Sequence, residues 1–139
     1  GLAEAIDMLH EEGLERVFAR HNRHGEATRR CVAAWGLENL ITNDRHFSPV
    51  QTAVLLPDGH NADQFRKIVL EKFDMSLGTG LSKVAGKVFR IGHLGDTNDL
   101  TVIATLAGCE MGLGLAKIPH KKGGVNVAME FLASTAGHV

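Results

Sequence analysis

Between Met75 and Asp99 the chain reads MSLGTGLSKVAGKVFRIGHLGDTND, a stretch crowded with Gly78, Gly80, Gly86, Gly92 and Gly95, with Gly108 just beyond it. Glycine lowers helix stability and reaches backbone angles closed to other residues, so this segment reads as turns around one short apolar strand. That strand is KVFRI, residues 87–91, and it carries a single guanidinium at Arg90. A guanidinium is a planar fork of donors that matches two carboxylate oxygens, and glycines remove the side chains that would keep a small anion away. The pattern is chemistry for binding; by itself it is not catalysis. Spacing alone leaves a second reading open, in which Arg90 guards a sheet edge or pairs with a surface acid.

Two nucleotide-binding patterns fail on inspection. A phosphate-binding loop needs four residues between its first glycine and its Gly-Lys pair, but Gly80 and Gly86 enclose a longer gap, and Lys87 precedes Val88 where Ser or Thr is required. The dinucleotide fingerprint starting at Gly78 and Gly80 would require glycine where Lys83 stands.

The length of 139 residues fits one domain with its own core. Fifteen basic against sixteen acidic residues give a net charge of -1, so no global basic field is present to hold nucleic acid or an anionic membrane. The apolar runs are too short to span a bilayer and no secretory leader is visible, so a cytoplasmic protein is expected. Cys31 and Cys109 fall in separate helical patterns and read as small buried residues. The chain opens directly in an amphipathic helix, GLAEAIDMLHEEG, with no lead-in, which suggests a piece of something longer.

Taken in order, Leu2, Ile6 and Leu9 have helical spacing and Gly13 marks a break. A longer helix follows with the stripe Leu14, Val17, Phe18, His21, Thr28, Cys31, Val32 and Trp35, closed by Gly36; Arg16, Arg20, Arg23, Arg29 and Arg30 are expected mostly outward. His21 and His24 lie three apart, but no third ligand stands at a recognisable spacing, so no metal site is assigned. Residues 37–42 read as a short strand, 43–49 as a polar loop and 50–56 as a strand stopped by Pro57, Asp58 and Gly59. Asn61 with Gln64 suggests a capping box for a helix with Phe65, Ile68, Val69 and Phe73 on one face. Residues 75–77 read as a strand before the glycine loop and KVFRI. Asp96 or Thr97 is expected to cap a helix over roughly 99–117, where Gly108, Gly112 and Gly114 imply close packing. Pro119 ends that helix, 121–124 form a link and 125–132 a last helix. The order α, α, β, β, α, β, β, α, α predicts an α+β fold, with helices packed on a small, mainly antiparallel sheet. One domain is expected over 1–139, with linking helices in 1–36, an α+β core in 37–117 and a terminal helix and tail in 118–139.

Through KVFRIGHLGD, the chain resembles the C-terminal small domain of class V aminotransferases of pyridoxal-phosphate fold type I, most of all the serine–glyoxylate and alanine–glyoxylate aminotransferases. The resemblance runs over residues 1–132 through the linking helix, SPVQTAVLLP, DQFRKIVLEKFDMSLGTGL, the arginine strand and the packing helix after it. It implies that Arg90 clamps the carboxylate of an amino acid or keto acid, and that Gly78 and Gly80, with His93 a further possibility, line the cleft. It also implies that pyridoxal 5'-phosphate is held by a large domain that supplies the Schiff-base lysine and has no counterpart here, and that the intact enzyme is a homodimer. Lys83 and Lys87 fall on the substrate-carboxylate side of the family pattern, so neither takes that lysine's role and no catalytic residue is assigned. The reading is thus the substrate-binding part of an enzyme moving an amino group from serine or alanine to glyoxylate. A free-standing module for a small carboxylate or a protein, or an inactive fragment, are the alternatives.

Overall fold

The computed structural model describes residues 1–137. Its elements follow the predicted order: α1 (Leu2–Glu12), α2 (Leu14–Ala34), β1 (Glu38–Asn39), β2 (Gln51–Leu55), α3 (Ala62–Phe73), β3 (Gly78–Thr79), β4 (Val88–Gly92), α4 (Asp99–Leu115) and α5 (Gly124–Ser134). Short 3-10 turns at Asp44–His46 and Ser82–Val84 interrupt the two longer loops. The strands form one fully antiparallel sheet in the order β1-β2-β4-β3.

Alternation along β2 and β4 separates the two faces of the sheet. Thr52 and Val54 pair with Ile91 and Phe89, and all four are buried. Phe65 of α3 closes on Phe89 with ring centroids 4.6 Å apart. Gln51, Ala53 and Arg90 alternate with these residues and belong to the other face.

The core also draws on both ends of the chain: Ala27, Cys31, Val32 and Trp35 of the α2 region and Ala128 and Leu132 of α5 join Phe65, Val69, Phe89 and Leu106 in one cluster. Glycine lets two of these contacts form. A Cβ on Gly112 would stand 2.5 Å from Val69 Cγ2, and one on Gly124 would stand 2.5 Å from Trp35 Cδ1. Gly108 similarly lies against Met75, whereas Gly114 faces open space, so close packing explains two of the three α4 glycines and not the third.

Several local expectations are corrected. The first strand is only two residues long, and β3 consists of the first two residues of the glycine stretch, not of 75–77. Asn98, not Asp96 or Thr97, caps α4: its side chain accepts from the Thr101 N–H while the Thr101 hydroxyl accepts from the Asn98 N–H. Asn61 does cap α3, accepting from Asp63 and Gln64, but no return bond from the Gln64 side chain completes a box. Leu14 and Phe18 are exposed, as are Leu2, Ile6 and Leu9 of α1.

The arginines of α2 differ most from expectation. Arg16 and Arg30 lie outward, but Arg20, Arg23 and Arg29 are only 17%, 10% and 16% exposed. Arg20 grips Glu12 through two nitrogens and donates to the carbonyls of Gly95 and Thr97. Arg23 forms a two-point bridge to Asp99 and also donates to Thr135 and the Leu132 carbonyl. These arginines tie α2 to the turn before α4 and to the end of α5.

Candidate functional site

The antiparallel register places Arg90 of β4 between Ala53 of β2 and Gly78 of β3. Its flat neighbours determine what the guanidinium can do. A Cβ on Gly78 would lie 3.0 Å from both the Cβ and the Nε of Arg90, so a side chain there would oblige the arginine to shift by a few tenths of an ångström. Arg90 is partly buried; its Nη1 donates to Gln51 Oε1 at 3.1 Å, and its Nε is buried without a partner. Among the described residues no acid forms an ion pair with it. A buried N–H left unsatisfied costs stability unless a ligand or water meets it.

Gly80 does a different job. Its N–H donates to the Val88 carbonyl at 3.0 Å, and a Cβ there would collide with the Val84 carbonyl, so this glycine lets the 81–87 loop fold back on the sheet. Gly78 clears the arginine and Gly80 closes the turn beneath it.

His93 lies just past β4 and is buried, with both ring nitrogens engaged inside the chain. Its Nδ1 lies 2.9 Å from the Pro49 carbonyl, which only an N–H can satisfy, so Nε2 is the acceptor for the Thr52 hydroxyl at 3.0 Å. Burial pushes the imidazole down to about 4. A neutral ring with both nitrogens occupied has none to offer a ligand. His21 is held in the same manner, donating from Nδ1 to the Val17 carbonyl and accepting the Gly95 N–H at Nε2. His24 Nε2 meets Asp99 at 3.0 Å, so the two α2 histidines are committed to separate partners. The Arg23 guanidinium and then the His24 ring hold the Asp99 carboxyl below its ordinary range. Cys31 and Cys109 are free, buried thiols, raised by desolvation.

Sequence reasoning missed Gln51, the residue that orients Arg90. Two-residue alternation places it on the arginine's face, but only strand pairing brings it to the guanidinium.

The structure is an α+β domain in which helices cover one small antiparallel sheet, with Arg90 set beside Gly78 and paired to no acid among the described residues. No protein-family model matches the chain. Curated relatives do: it is 50% identical over 113 residues to the serine–glyoxylate aminotransferase of Methylorubrum extorquens, covering 81% of this chain and 28% of that protein. It is 45% identical over 133 residues to the Arabidopsis thaliana serine–glyoxylate aminotransferase, covering 95% and 33%. The crystal structure of the ureidoglycine–glyoxylate aminotransferase from Bacillus subtilis superposes with a TM-score of 0.87 at 30% identity, over 94% of this chain and 34% of that one. The chain belongs to the class V aminotransferase family and corresponds to its C-terminal small domain. It spans about a third of the length of the relatives it matches.

Proposed function

We propose that this chain is the substrate-carboxylate-binding domain of an aminotransferase that moves an amino group from serine or alanine to glyoxylate. The observation that carries the reading is Arg90: a guanidinium with no acid partner among the described residues, steadied by Gln51 through Nη1 and flanked across the ladder by Gly78. In this role Arg90 holds the α-carboxylate at two points, and Gln51 fixes the plane of the fork from the side. Holding the carboxylate fixes the orientation of the substrate's Cα bonds, which is the positioning contribution to the reaction.

Pyridoxal phosphate supplies the electron sink in such enzymes. The residues of this chain do not fit it: all seven lysines are exposed, and Lys83 and Lys87 stand on the loop beside β4 with no acid paired to them among the described residues. We therefore assign the cofactor to a large domain outside this segment, and we expect the segment alone to be inactive. The exposed apolar stripe Leu2, Ile6 and Leu9 of α1 supports a face that meets the rest of a longer polypeptide or its dimer partner.

The test is substitution of Arg90 in the polypeptide that joins this segment to its lysine-bearing domain. Removing a hydrogen-bonded charge pair from a partly desolvated site typically costs about 2–5 kcal/mol, so Arg90→Ala should lower kcat/KM by roughly 30-fold or more. Arg90→Lys keeps the charge but loses the two-point grip, and should recover only part of the loss. Cofactor affinity and thermal stability should stay near those of the unmodified enzyme. Altered stability with intact kinetics in both variants would instead support the edge-guard role.

A further inference from the structure

Gln51 is the one side chain hydrogen-bonded to the Arg90 guanidinium among the described residues, with 3.1 Å from Nη1 to Oε1. The register explains how they meet. Arg90 lies opposite Ala53, and Gln51 stands two residues before Ala53 on the same face of β2, a diagonal that long side chains span. Gly92, directly opposite Gln51, has no side chain to compete for the amide.

The partly buried arginines of the chain supply the comparison. Arg20, Arg23, Arg29 and Arg66 each pair with an acid, and those pairs are structural ties. Arg90, equally part-buried, is held by a neutral amide instead. A guanidinium has only donors, so the amide turns its oxygen to Nη1. That oxygen satisfies one N–H and carries no net charge, whereas a carboxylate in its place would form a charge-assisted pair and occupy the fork. Because Nε is closed off, the donors left for a ligand are Nη2 and the second Nη1 hydrogen, at the outer end of the guanidinium.

We propose that Gln51 is a positioning residue whose neutral amide holds Nη1 in place while leaving the charge of Arg90 for the ionised carboxylate of the substrate. The carboxylate is then gripped end-on, through Nη2 and the remaining Nη1 hydrogen. This rests on the carboxylate-binding reading of Arg90 and adds the residue that keeps the site open to an acid from outside.

Gln51→Glu and Gln51→Leu, made in the polypeptide that joins this segment to its lysine-bearing domain, test the assignment. Glutamate matches glutamine in size and keeps the acceptor, but it gives Arg90 an internal ion pair that the substrate must displace. KM for the amino donor and for glyoxylate should both rise about tenfold with kcat changed by less than about twofold, because competition for the fork acts on binding. Leucine removes the acceptor without adding charge, so its KM should rise only about threefold. A merely structural role predicts the reverse order, with the isosteric glutamate milder than leucine. In an Arg90→Ala background, Gln51→Glu should add nothing to KM. Gln51 is exposed, so both single variants should melt near the unmodified polypeptide. An unchanged KM in Gln51→Glu, a leucine effect as large as the glutamate effect, a Gln51→Glu effect that persists without Arg90, or a fall in Tm that accompanies the KM change would each overturn the proposal. If Arg90→Ala still lowers kcat/KM, only the role of Gln51 falls; if Arg90→Ala leaves kcat/KM intact, the reading beneath it falls too.

Discussion

Gly78 sits directly across the β3–β4 ladder from Arg90, so close that a Cβ would stand 3.0 Å from the arginine's Nε. The arginine's present position thus depends in part on the absence of a side chain on the neighbouring strand. Gly78→Ala should push the guanidinium out of register with Gln51 and lower kcat/KM in the whole enzyme by about tenfold, equivalent to about 1.4 kcal/mol, with a modest change in Tm. Gly80→Ala should show the reverse emphasis, because its Cβ meets the Val84 carbonyl and not the arginine. Equal kinetic and thermal effects in the two variants would show that Gly78 has no special relation to Arg90.

His93 makes stability depend on pH in a defined window. Its pKa lies near 6.5 when unfolded and about 4 in the folded chain, chiefly because burial disfavours the charged ring. Between these values the unfolded chain binds the proton and the folded chain does not. The stability this histidine contributes is thus fully present above about pH 6.5 and is lost as pH falls towards 4. Denaturant midpoints measured across that range should fall with acidification, and the slope should diminish in His93→Gln.

Glu110 joins three parts of the chain. Its carboxylate accepts from Trp35 Nε1 and the Gly123 N–H, both at 2.6 Å, and from the Val125 N–H at 3.2 Å, so it anchors the start of α5 against the end of α2. Desolvation opposes ionisation, yet these donors, led by the Gly123 N–H, hold the carboxyl below its ordinary 4.5. Glu110→Ala leaves the buried Trp35 N–H unsatisfied and should cost about 2 kcal/mol by denaturant titration, discounted because the carboxylate keeps some contact with water. The pH sign agrees with that of His93: this contribution is present above about 4.5 and is lost as pH falls through the lower folded pKa. An unchanged midpoint for Glu110→Ala at neutral pH would reject the anchor.

The α4 glycines offer a paired test of packing against propensity. Gly112→Ala drives a methyl into Val69 and Phe65 and should destabilise by roughly 1–3 kcal/mol. Gly114→Ala meets open space and should stabilise the helix by about 0.5–1 kcal/mol. The comparison needs only the two thermal midpoints; the same sign for both would contradict the packing.

Arg90 and the order of elements were legible in the sequence, because a strand of alternating apolar residues, glycine breaks and Asn61 before a helical stripe are local signals. The resemblance over the KVFRIGHLGD region carried the reading from a plausible fork to a family. The caps were less legible: Asp96, Thr97 and Asn98 are all competent, and the geometry of the turn selects Asn98.

The sequence by itself determined the order of helices and strands and which strand carries Arg90, since these depend on neighbours a few residues away. Only the tertiary structure decided that Arg20, Arg23 and Arg29 fold inward, because the acceptors for Arg20 and Arg23 lie up to 112 residues away and the Phe47 ring that holds Arg29 sits on a different loop. It likewise distinguished Gly78, which lies against Arg90, from Gly80, which lies against the Val84 carbonyl. Periodicity reports which face a residue occupies; the approach of distant backbone decides what that residue meets there.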